Sequence, residues 1–553
     1  MASRRDELNA YSFARKRTNA SFLKPLPNGS IESAPKPLKA VVPGIVVSVL
    51  ILVGFGACGI IKPVAPQGWD TPEANVVVGA DSTTRYVVLK HPDADGNDQK
   101  MLHPILNLAS AKLLLDPDKF NIVQVKESEL DSKIAHGPAV GIPYAPDRLP
   151  GKSDVDKAKT WAVCNRPGSG VGSKPQQAVF LLSGKDKKVI EDLDKGRVDL
   201  HKALYVEGPD GVRYLVDQYG IKFTFDSTLG GRQQPPDGMS KAAADRDIRR
   251  IIFGDQTPQP VTQEWLDTLI DGQYSIFMPS IPGAGQQLNN DDLPQANNKV
   301  GNVVQDGSTS QKYVVTQHGV EKVSDFIAKL LTLGPNARKV TGTSNQLEVK
   351  SLATASFHKL EDDPETGQVK EFMGTIAEGS KVPNPWPTQD LEMANNFEKP
   401  AQDSGLGSAT DKGVSCSAYL GTNSKYAGAE ALGYPKGVPN MATWVGTDYP
   451  AKIASGSSTY VTPGSGLLYR AVSNPTASSG STFLITDTGL RYNVPNNNDS
   501  KGKAGNDKEE QGKSMLRLGY KGTHPPDILT AWSNLLSEGP SLEVHAAEKL
   551  QSS

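Results

Sequence analysis

Hydrophobic residues along this chain are most concentrated in one segment near its beginning. Residues 41–61 contain no charged side chain and consist mainly of Val, Ile, Leu and Gly. An α-helix needs about 20 apolar residues to cross the hydrocarbon core of a membrane. Pro43 and Gly44 lie in the first turn, where a proline removes no helical hydrogen bond. No other stretch of the sequence is comparable, so the pattern predicts a single transmembrane helix over 41–61.

The charges on the two sides of this segment predict its orientation. Residues 1–40 contain eight Lys and Arg against three Asp and Glu, whereas residues 62–80 contain one Lys against two acidic residues. Basic residues are kept on the cytoplasmic side, so we expect a cytoplasmic N-terminus and a large extracytoplasmic region. A cleaved signal peptide is one alternative, but a basic leader of 40 residues is too long for one. A lipoprotein signal is a second alternative, because residues 55–58 loosely resemble a lipobox ending at Cys58. Phe55 is an unusual residue at the first position of such a motif.

The residues before the apolar segment predict a short basic helix over 4–22. Ser3 is a candidate N-cap, with Asp6 three residues later to reach back to it. Three apolar side chains fall on one side of this helix: Leu8, Tyr11 and Phe22. Such a helix lies on anionic lipid or against a partner helix, and the alternative is a solvated stub. Residues 24–40 contain four prolines and are predicted to be a linker.

Beyond the apolar segment the pattern is that of short strands, and it repeats. Three twelve-residue stretches align without a gap: 214–225, 313–324 and 483–494. Each begins with an aromatic residue and two β-forming residues, reaches a glycine six positions later and continues with an aliphatic residue. Glycine supplies the positive φ of a tight turn, so each stretch predicts a β-hairpin turning at Gly220, Gly319 or Gly489. A fourth, wider hairpin is predicted from Tyr86.

Helices are expected after these hairpins, at 102–115, 326–331 and 528–536. The spacing between a Trp and a following Gly is the same at 265 and 272 as at 532 and 539. A pair of Leu residues also precedes Gly-Pro at the same distance in 330–335 and in 535–540. These matches predict four related small α+β units. The fold class is therefore α+β and β-rich: one N-terminal transmembrane helix, then an elongated extracytoplasmic region with a central β domain and four repeat domains.

The predicted organisation divides the chain as follows: 1–40 cytoplasmic basic helix and linker, 41–61 transmembrane helix, 62–80 linker, 81–120 repeat 1, 121–200 first part of the central β domain, 201–280 repeat 2, 281–345 repeat 3, 346–475 second part of the central domain with long loops, and 476–553 repeat 4. The polar runs 284–311 and 495–514 are expected to be loops or disordered.

Composition changes this picture little. The formal net charge is −2, so no global field favours nucleic acid, and none is predicted as a partner.

Phosphate-binding chemistry has only partial matches in the sequence. The P-loop pattern Gly-x-x-x-x-Gly-Lys-Ser/Thr is approached at 151–153 and 512–514. The residues five positions before those glycines are Pro146 and Asp507, so the first glycine of the pattern is missing in both.

Other catalytic patterns do not occur either. The sequence has no His-Glu-x-x-His zinc helix and no Gly-x-Ser-x-Gly nucleophile elbow. His103 is interpreted as a helix-entry or packing residue, and His318 as an incidental turn residue. Asp217 and Asp487 occupy neighbouring turn positions and are interpreted as turn formers. No catalytic, cofactor-binding or metal-binding residue is predicted.

Basic and aromatic residues adjoin on two hairpins, at Lys222–Phe223 and Arg491–Tyr492. One interpretation is an exposed face that binds glycan strands of the cell wall. The alternative is that these aromatic side chains belong to the core.

Seven short motifs occur in an order that resembles a known family. They are Tyr11-x-Phe13-x-Arg15-x-Arg17, and segments within 102–111, 140–146, 161–164, 460–464, 486–492 and 518–520. Over essentially its full length the chain resembles the EccB family, the single-pass core component of the type VII (ESX) secretion system of actinobacteria. The stretches 226–246, 336–411 and 495–514 are longer than the family's pattern.

The resemblance implies a central β domain flanked by four repeats that are distantly similar to the cell-wall-binding subunit of a phage endolysin. It implies assembly with EccC (the motor ATPase), EccD and EccE in the inner membrane, and we expect homo-oligomeric contacts through the extracytoplasmic domain. The expected function is a structural subunit that braces the complex from the inner membrane toward the cell wall. There are two alternatives. The first is an extracytoplasmic enzyme: an ATPase, as the family is often labelled, another NTPase, or a wall hydrolase. The second is a stand-alone peptidoglycan-binding protein.

Three cysteines are present, of which Cys58 lies in the apolar segment and Cys164 and Cys416 in the exported part. Disulfides persist outside the reducing cytoplasm, and an even pair there is more often bonded than free. Two buried free thiols are the alternative. The resemblance implies a bond at these positions, and we therefore predict a disulfide between Cys164 and Cys416.

Overall fold

The computed structural model describes residues 3–23, 38–60, 65–92, 97–168, 174–226, 240–342, 346–363, 368–372, 386–396, 413–420, 439–454, 456–495 and 513–551. The first helix, α1, spans Arg4–Leu23. The Ser3 amide donates to Asp6 Oδ2 (3.2 Å) and the Arg5 amide donates to Ser3 Oγ (3.3 Å), which confirms the predicted cap.

The second helix, α2, spans Leu38–Ile60 and contains the apolar segment. The side chains of residues 41–53 are all exposed, although most of them are apolar. Within the described residues, no helix combines the length and the hydropathy that a membrane crossing requires. The predicted segment 41–61 falls only partly within that portion, because the side chains from residue 54 onward lie outside it.

Residues 75–195 form the first sheet and the first half of a second. The strands are β1 (Asn75–Gly79), β2 (Arg85–Pro92), β3 (Asp98–Pro104), β4 (Asn121–Val125), β5 (Ala135–His136), β6 (Thr160–Arg166) and β7 (Gln176–Leu182). The helices are α3 (Leu108–Leu114), α4 (Glu127–Lys133), α5 (Lys152–Val155) and α6 (Lys187–Lys195).

Residues 202–393 form two further sheets and a small hairpin. The strands are β8 (Lys202–Glu207), β9 (Arg213–Val216), β10 (Ile221–Thr224), β11 (Gln259–Pro260), β12 (Ile270–Asp271), β13 (Val303–Asp306), β14 (Lys312–Val315), β15 (Val320–Val323), β16 (Lys350–Leu352), β17 (Glu361–Asp363), β18 (Gln368–Val369) and β19 (Glu392–Met393). The helices are α7 (Lys241–Phe253), α8 (Gln263–Leu266), α9 (Asp325–Leu333) and α10 (Pro335–Thr341).

Residues 414–548 complete the second sheet and form the last one. The strands are β20 (Val414–Tyr419), β21 (Met441–Gly446), β22 (Thr459–Val461), β23 (Leu467–Val472), β24 (Ser481–Ile485), β25 (Arg491–Asn493) and β26 (Asp527–Leu529). The helices are α11 (Lys513–Arg517), α12 (Thr530–Ser533) and α13 (Val544–Glu548).

Four of the six sheets in the described portion share one strand plan. In each, three consecutive strands form an antiparallel meander: β1–β2–β3, β8–β9–β10, β13–β14–β15 and β23–β24–β25. After a helix, the next strand (β4, β11, β16 or β26) pairs parallel to the first strand of the meander. A short helix, which in unit 3 is a single 3-10 turn (Thr354–Ser356), then leads to a strand or bridge parallel to the third strand. We call these assemblies unit 1 (75–136), unit 2 (202–271), unit 3 (303–359) and unit 4 (467–538).

The hairpins of these units follow from their glycines. The φ angles of Gly220, Gly319 and Gly489 are 72°, 144° and 82°, and the strands on either side pair antiparallel, as predicted. The fourth predicted hairpin, β2–β3, is antiparallel as well, and its turn at 93–96 lies outside the described residues.

Two helices begin later than the sequence pattern predicts. In the predicted helix 102–115, Leu102 and His103 belong to β3 and α3 starts at Leu108. In the predicted helix 528–536, β26 comes first and α12 starts at Thr530. At both places apolar residues continue from the end of a strand into the helix that follows, and hydrophobic periodicity does not separate the two.

The alignment of helix ends is correct for one pair of segments and wrong for another. The amides of Gly272 and Gly539 donate to Lys222 O and Arg491 O, both at 2.8 Å, so the matched Trp–Gly spacings mark equivalent positions in units 2 and 4. By contrast, residues 330–331 lie in α9, the first helix of unit 3, whereas residues 535–536 follow α12, the second helix of unit 4.

The sheets also differ from the predicted boundaries. Residues 121–136 complete the sheet of unit 1, β16 belongs to unit 3, and β23 opens unit 4 before residue 476. The polar run 284–311, predicted to be a loop or disordered, contains β13. Its first part is held by its own amides, since Gln287 Nε2 donates to Gln295 O (2.8 Å) and Asn298 O (2.7 Å). Most of the second polar run, 496–512, lies outside the described residues.

The remaining five-stranded sheet, with order β21–β20–β6–β7–β22, is the central sheet. One continuous apolar core joins it to units 2 and 4, a second joins unit 2 to unit 3, and a third joins unit 1 to unit 4. The order in space is therefore unit 1, unit 4, central sheet, unit 2, unit 3, which differs from the order along the chain. This arrangement makes the central sheet the place where the two ends of the molecule are held together.

Candidate functional site

The central sheet has its two cysteines on its two middle strands. Cys164 on β6 and Cys416 on β20 are directly opposite, with Cα atoms 4.0 Å apart, and a disulfide joins them. The Val179 amide donates to Ser458 O (2.8 Å), on the side of β7 away from β6. Backbone groups alternate in direction along a strand, so those of the next residue, Ala178, point to β6, where Ala178 is opposite Cys164. Cys164 therefore directs its backbone groups to β7, and the cysteines form a non-hydrogen-bonded pair, in which opposite side chains are closest. Both are fully buried.

Unit 2 is attached beside this disulfide by a buried amide network. Gln259 of β11 is 0 % exposed, and its Nε2 donates to Asn165 O (3.2 Å) and Gly413 O (3.4 Å). Its Oε1 accepts from Ser415 Oγ (2.6 Å) and Asn395 Nδ2 (3.0 Å). Asn165 and Ser415 are the neighbours of the two cysteines, so one side chain ties unit 2 to both middle strands. Gln259 could not be recognised from the sequence, because one glutamine between two prolines forms no distinctive pattern.

The hairpin turn of unit 2 contacts the edge strand β21. A Cβ added at Gly220 would lie 3.1 Å from Met441 Cβ, and Thr443 Oγ1 donates to Asp217 O (3.0 Å). Asp217 is buried, and its Oδ1 accepts from the amides of Tyr219 (2.8 Å) and Ile221 (2.9 Å). The predicted role as a turn former is confirmed. Burial raises the pKa of Asp217 to about 7.

The hairpin turn of unit 4 contacts the opposite edge of the sheet in a similar way. A Cβ added at Gly489 would lie 3.1 Å from Thr459 Cβ on β22. Asp487 Oδ2 accepts from the Gly464 amide (2.9 Å), so this turn former also connects its unit to the segment after β22. In unit 3 the turn at Gly319 faces Leu360 instead and lies away from the central sheet.

Aromatic packing adds to the contact with unit 4. Trp161 of β6 makes edge contacts with Tyr469 and Trp532, at centroid distances of 5.8 and 6.4 Å. Tyr419 of β20 lies 5.7 Å from the same Trp532. In unit 2, Trp265 Nε1 donates to Val163 O (3.2 Å). The equivalent tryptophans of units 2 and 4 thus both pack on the central sheet.

The two basic and aromatic hairpin segments are part of the core. Phe223 and Tyr492 are each 1 % exposed. Lys222 Nζ donates to Leu266 O (2.8 Å), and Arg491 Nη1 donates to Ser533 Oγ (2.7 Å). Each cation thus binds the end of the short helix in its own unit. These aromatic side chains do not form an exposed glycan-binding face.

Units 1 and 4 are joined by helices that bind each other's ends. Arg517 of α11 donates through Nη1 to Leu113 O (2.9 Å) and Leu115 O (3.3 Å), at the C-terminal end of α3. In return, Lys112 of α3 donates to Leu518 O (3.4 Å), just past the end of α11. Cations at helix C-termini satisfy carbonyls that lack helical partners.

The partial phosphate-binding motifs do not form a strand–loop–helix arrangement where they are described. Gly151 precedes α5, a helix of four residues, and Lys152 is exposed. Gly512 lies outside the described residues, and α11 begins at the next position. His318 lies in its hairpin turn, where its amide donates to Thr316 Oγ1 (3.2 Å). His103 is buried on β3 and does not lie at the start of a helix.

A cleft of about 700 Å³ lies beside β7, under the loop that joins β21 to β22. Arg166 lies over the Tyr449 ring at 4.8 Å, and the Tyr449 hydroxyl donates to Gln176 O (2.8 Å). Asp448 and Lys452 add one charge of each sign to the lining. Arg166 contacts both Asp448 (Nη1 to Oδ1, 3.8 Å) and the Tyr449 ring at this cleft.

Comparison with known proteins identifies related sequences. The family model described as "Type VII secretion system ESX-1, transport TM domain B" matches residues 1–552. The ESX-1 secretion system ATPase EccB1 of Mycolicibacterium smegmatis (strain MKD8) is 30% identical over 298 residues, 53% of this chain and 54% of the relative. The ESX-2 secretion system ATPase EccB2 of Mycobacterium tuberculosis (strain ATCC 25618 / H37Rv) is 30% identical over 237 residues, 42% and 41%. The chain spans about half the length of these curated relatives.

A third relative matches over a longer range. The ESX-3 secretion system ATPase EccB3 of Mycolicibacterium smegmatis (strain ATCC 700084 / mc(2)155) is 25% identical over 537 residues, 92% of this chain and 85% of the relative.

Two solved structures resemble the fold. A chain of an intact ESX-5 inner membrane complex has a TM-score of 0.51 and 19% identity, covering 100% of this chain and 96% of that one. A chain of an EccB3 dimer from the ESX-3 core complex has a TM-score of 0.51 and 20% identity, covering 86% and 99%. At this identity the likeness is one of fold, and it confirms the predicted α+β, β-rich class with several small sheets.

Proposed function

The chain belongs to the EccB family of type VII secretion proteins, and from this premise we propose that it is a structural, membrane-anchored subunit of a type VII (ESX) secretion complex. It braces the complex from the inner membrane toward the cell wall. The observation that carries this function is the continuity of the cores: apolar packing runs from unit 1 through unit 4 and the central sheet to units 2 and 3. A chain packed in this way transmits force between its ends.

The proposed partners are EccC, EccD and EccE, together with further copies of this chain. The solved relatives with this fold come from an ESX-5 inner membrane complex and from an EccB3 dimer, which supports both kinds of contact. Peptidoglycan is a further proposed partner, through surfaces other than the two buried hairpin faces.

The test is co-purification of the tagged full-length chain from membranes in mild detergent. We expect EccC, EccD and EccE to elute with it in one large particle. A chain that elutes alone under conditions in which the other three subunits stay together would overturn the structural role. A matched variant that lacks residues 1–61 should be recovered without those partners.

The membrane anchor is proposed over residues 41–61, with residues 1–40 in the cytoplasm. Thirteen consecutive residues, 41–53, are exposed around the whole helix, and ten of them are large apolar side chains. A helix that is apolar on all sides is stable when lipid surrounds it. We also propose that units 1 to 4 are four copies of one repeat and that the central sheet separates them into two pairs.

The curated relatives carry the name ATPase, so nucleotide hydrolysis is the competing function. We propose that this chain does not hydrolyse ATP through a P-loop, since the first glycine of the motif is absent at both candidate sites. The purified full chain should show no saturable ATP binding. Binding that is lost in Lys513→Ala but kept in Lys521→Ala would contradict this proposal.

A further inference from the structure

The first hairpin presents two histidines on one face. His91 on β2 and His103 on β3 have ring centroids 4.8 Å apart, with an angle of 46° between the ring planes. In the β2–β3 register Leu89 is opposite Met101, while His91 and His103 are opposite Gln99 and Val87. Because side chains alternate along a strand, all of these residues share one face of the hairpin.

The ring nitrogens of His103 have the arrangement that is typical of a metal ligand. His103 Nδ1 lies 2.7 Å from Pro138 O, and a carbonyl only accepts, so Nδ1 carries the proton and Nε2 holds the lone pair. The Nε2 atoms of both His91 and His103 are buried and have no hydrogen-bond partner within the described residues. A metal-binding histidine typically donates its second ring N–H to a carbonyl or carboxylate in this manner.

These unpartnered atoms need an explanation. Leaving a buried polar atom without a partner costs about 1–3 kcal/mol, and an ion or water is the usual reason for it in a native structure. His103 is also held firmly, because a Cβ added at Gly137 would lie 2.3 Å from its Cε1 atom. The glycine at this position leaves room for the ring in its present orientation.

A thioether side chain, Met101, lies on the same face of the hairpin. It is two residues from His103 on β3 and diagonal to His91 across the hairpin, a separation that long side chains can span. Imidazole nitrogen binds several late transition metals, whereas thioether sulfur selects monovalent copper. We propose that His91, Met101 and His103 form a binding site for a Cu(I) ion. This site is independent of the proposed role in secretion.

The test measures Cu(I) affinity of the purified full chain by competition with a chromophoric Cu(I) chelator. The background is Cys58→Ser, because a free thiolate would itself bind Cu(I). Ascorbate is the reductant, since it leaves the Cys164–Cys416 disulfide intact. We expect one ion per chain, with two nitrogen scatterers and one sulfur scatterer in X-ray absorption.

Matched variants assign the ligands. Met101→Leu keeps the shape of the side chain and should weaken Cu(I) binding about tenfold or more, and His91→Gln should weaken it by about a hundredfold. The exposed His201→Gln is the control and should bind as the wild type does. Each variant is first shown to melt at the wild-type temperature. Absence of stoichiometric Cu(I) binding, or binding unchanged in both Met101→Leu and His91→Gln, would overturn the site.

Discussion

Two buried polar residues lie where unit 2 meets the central sheet, and they act in different ways: the Gln259 side chain binds the sheet itself, whereas the Asp217 side chain holds the turn whose backbone contacts it. Gln259 is a neutral amide whose hydrogen bonds reach both disulfide-bearing strands. Asp217 is a carboxyl group in a buried turn, and burial raises its pKa to about 7. The first stabilises the junction at all pH values, whereas the contribution of the second depends on pH.

Replacing Gln259 tests the amide network. In Gln259→Leu the Asn165 and Gly413 carbonyls and the Ser415 hydroxyl lose their partner while remaining buried. We expect a loss of about 2–4 kcal/mol in the free energy of unfolding, measured by urea denaturation of the full chain in detergent. The exposed Gln263→Leu on α8 is the control and should change stability by less than about 0.5 kcal/mol. Equal effects of the two changes would show that the network contributes nothing specific.

Asp217 makes stability depend on pH with a defined sign. The folded-state pKa of Asp217 lies above the usual value of 3.8. The protonated carboxyl group therefore contributes its whole stabilisation of the fold below pH 3.8, and this stabilisation is lost as the pH rises through about 7. Asp217→Asn keeps an Oδ1 acceptor for the two amides and removes this loss. We expect the variant to be more stable than the wild type at pH 8, by at most about 4 kcal/mol, with a smaller difference at pH 5. The exposed Asp118→Asn should show no such pH dependence, and a variant that is less stable at pH 8 would refute the prediction.

At the scale of elements, some features could be predicted from sequence and others could not. The three hairpins were found because each glycine must adopt positive φ between two runs of β-forming residues. The start of α3 could not be predicted, because the apolar residues Leu102, Ile105 and Leu106 lead from β3 towards the helix without a change of hydrophobic period. Likewise, β16 and β26 were missed as strands, since each pairs with residues far away in the chain.

The buried junctions were beyond sequence reasoning for the same physical reason. Gln259, Arg517 and Lys112 are ordinary polar residues in ordinary local patterns. Their importance comes from carbonyls that lie in other units, and a single sequence contains no record of that proximity. The tryptophan–glycine spacing of units 2 and 4 could be recognised, because there the same local contact occurs twice.

The reciprocal binding of α3 and α11 predicts the strength of the junction between units 1 and 4. Arg517→Met and Lys112→Met each remove hydrogen bonds to carbonyls at the end of the other helix. We expect each to lower the free energy of unfolding by about 1 kcal/mol and to raise amide exchange in both helices. Lys119→Met, at an exposed ion pair with Asp116, is the matched control and should leave the exchange of α11 unchanged. Increased exchange confined to the mutated helix would argue against mutual capping.

The N-terminal helices give a prediction about topology. Eight basic residues precede the apolar segment and one follows it within residues 62–80, so the segment should cross the membrane with its N-terminus inside. Protease added to intact spheroplasts should digest the chain beyond residue 63 and spare a tag placed at residue 1. Protection of the C-terminal region together with loss of the N-terminal tag would show that the segment crosses the membrane in the opposite orientation.

At the scale of the whole molecule, the chain crosses the central sheet twice, once before unit 2 and once after unit 3. The first crossing supplies β6 and β7, and the second supplies β20, β21 and β22. Units 2 and 3 therefore lie entirely within the segment between the two cysteines, whose sequence separation is 252 residues. Unit 1 lies before that segment and unit 4 after it, although the two pack against each other.

The disulfide therefore closes a loop that contains one complete pair of units. On the chain-entropy model a loop of this length stabilises the fold by at most about 5 kcal/mol, chiefly by restricting the unfolded chain. The bond lies fully buried between two hydrogen-bonded strands, so we expect Cys164→Ala/Cys416→Ala to keep the fold but to unfold at lower urea concentration. Cys58→Ser, which removes the third cysteine, should leave the transition unchanged. The chemical state is decided by mass spectrometry of a non-reduced digest, which should contain a peptide that links Cys164 to Cys416. If both cysteines alkylate in the unfolded, unreduced protein, the bond is absent and the central sheet is held by packing and hydrogen bonds alone.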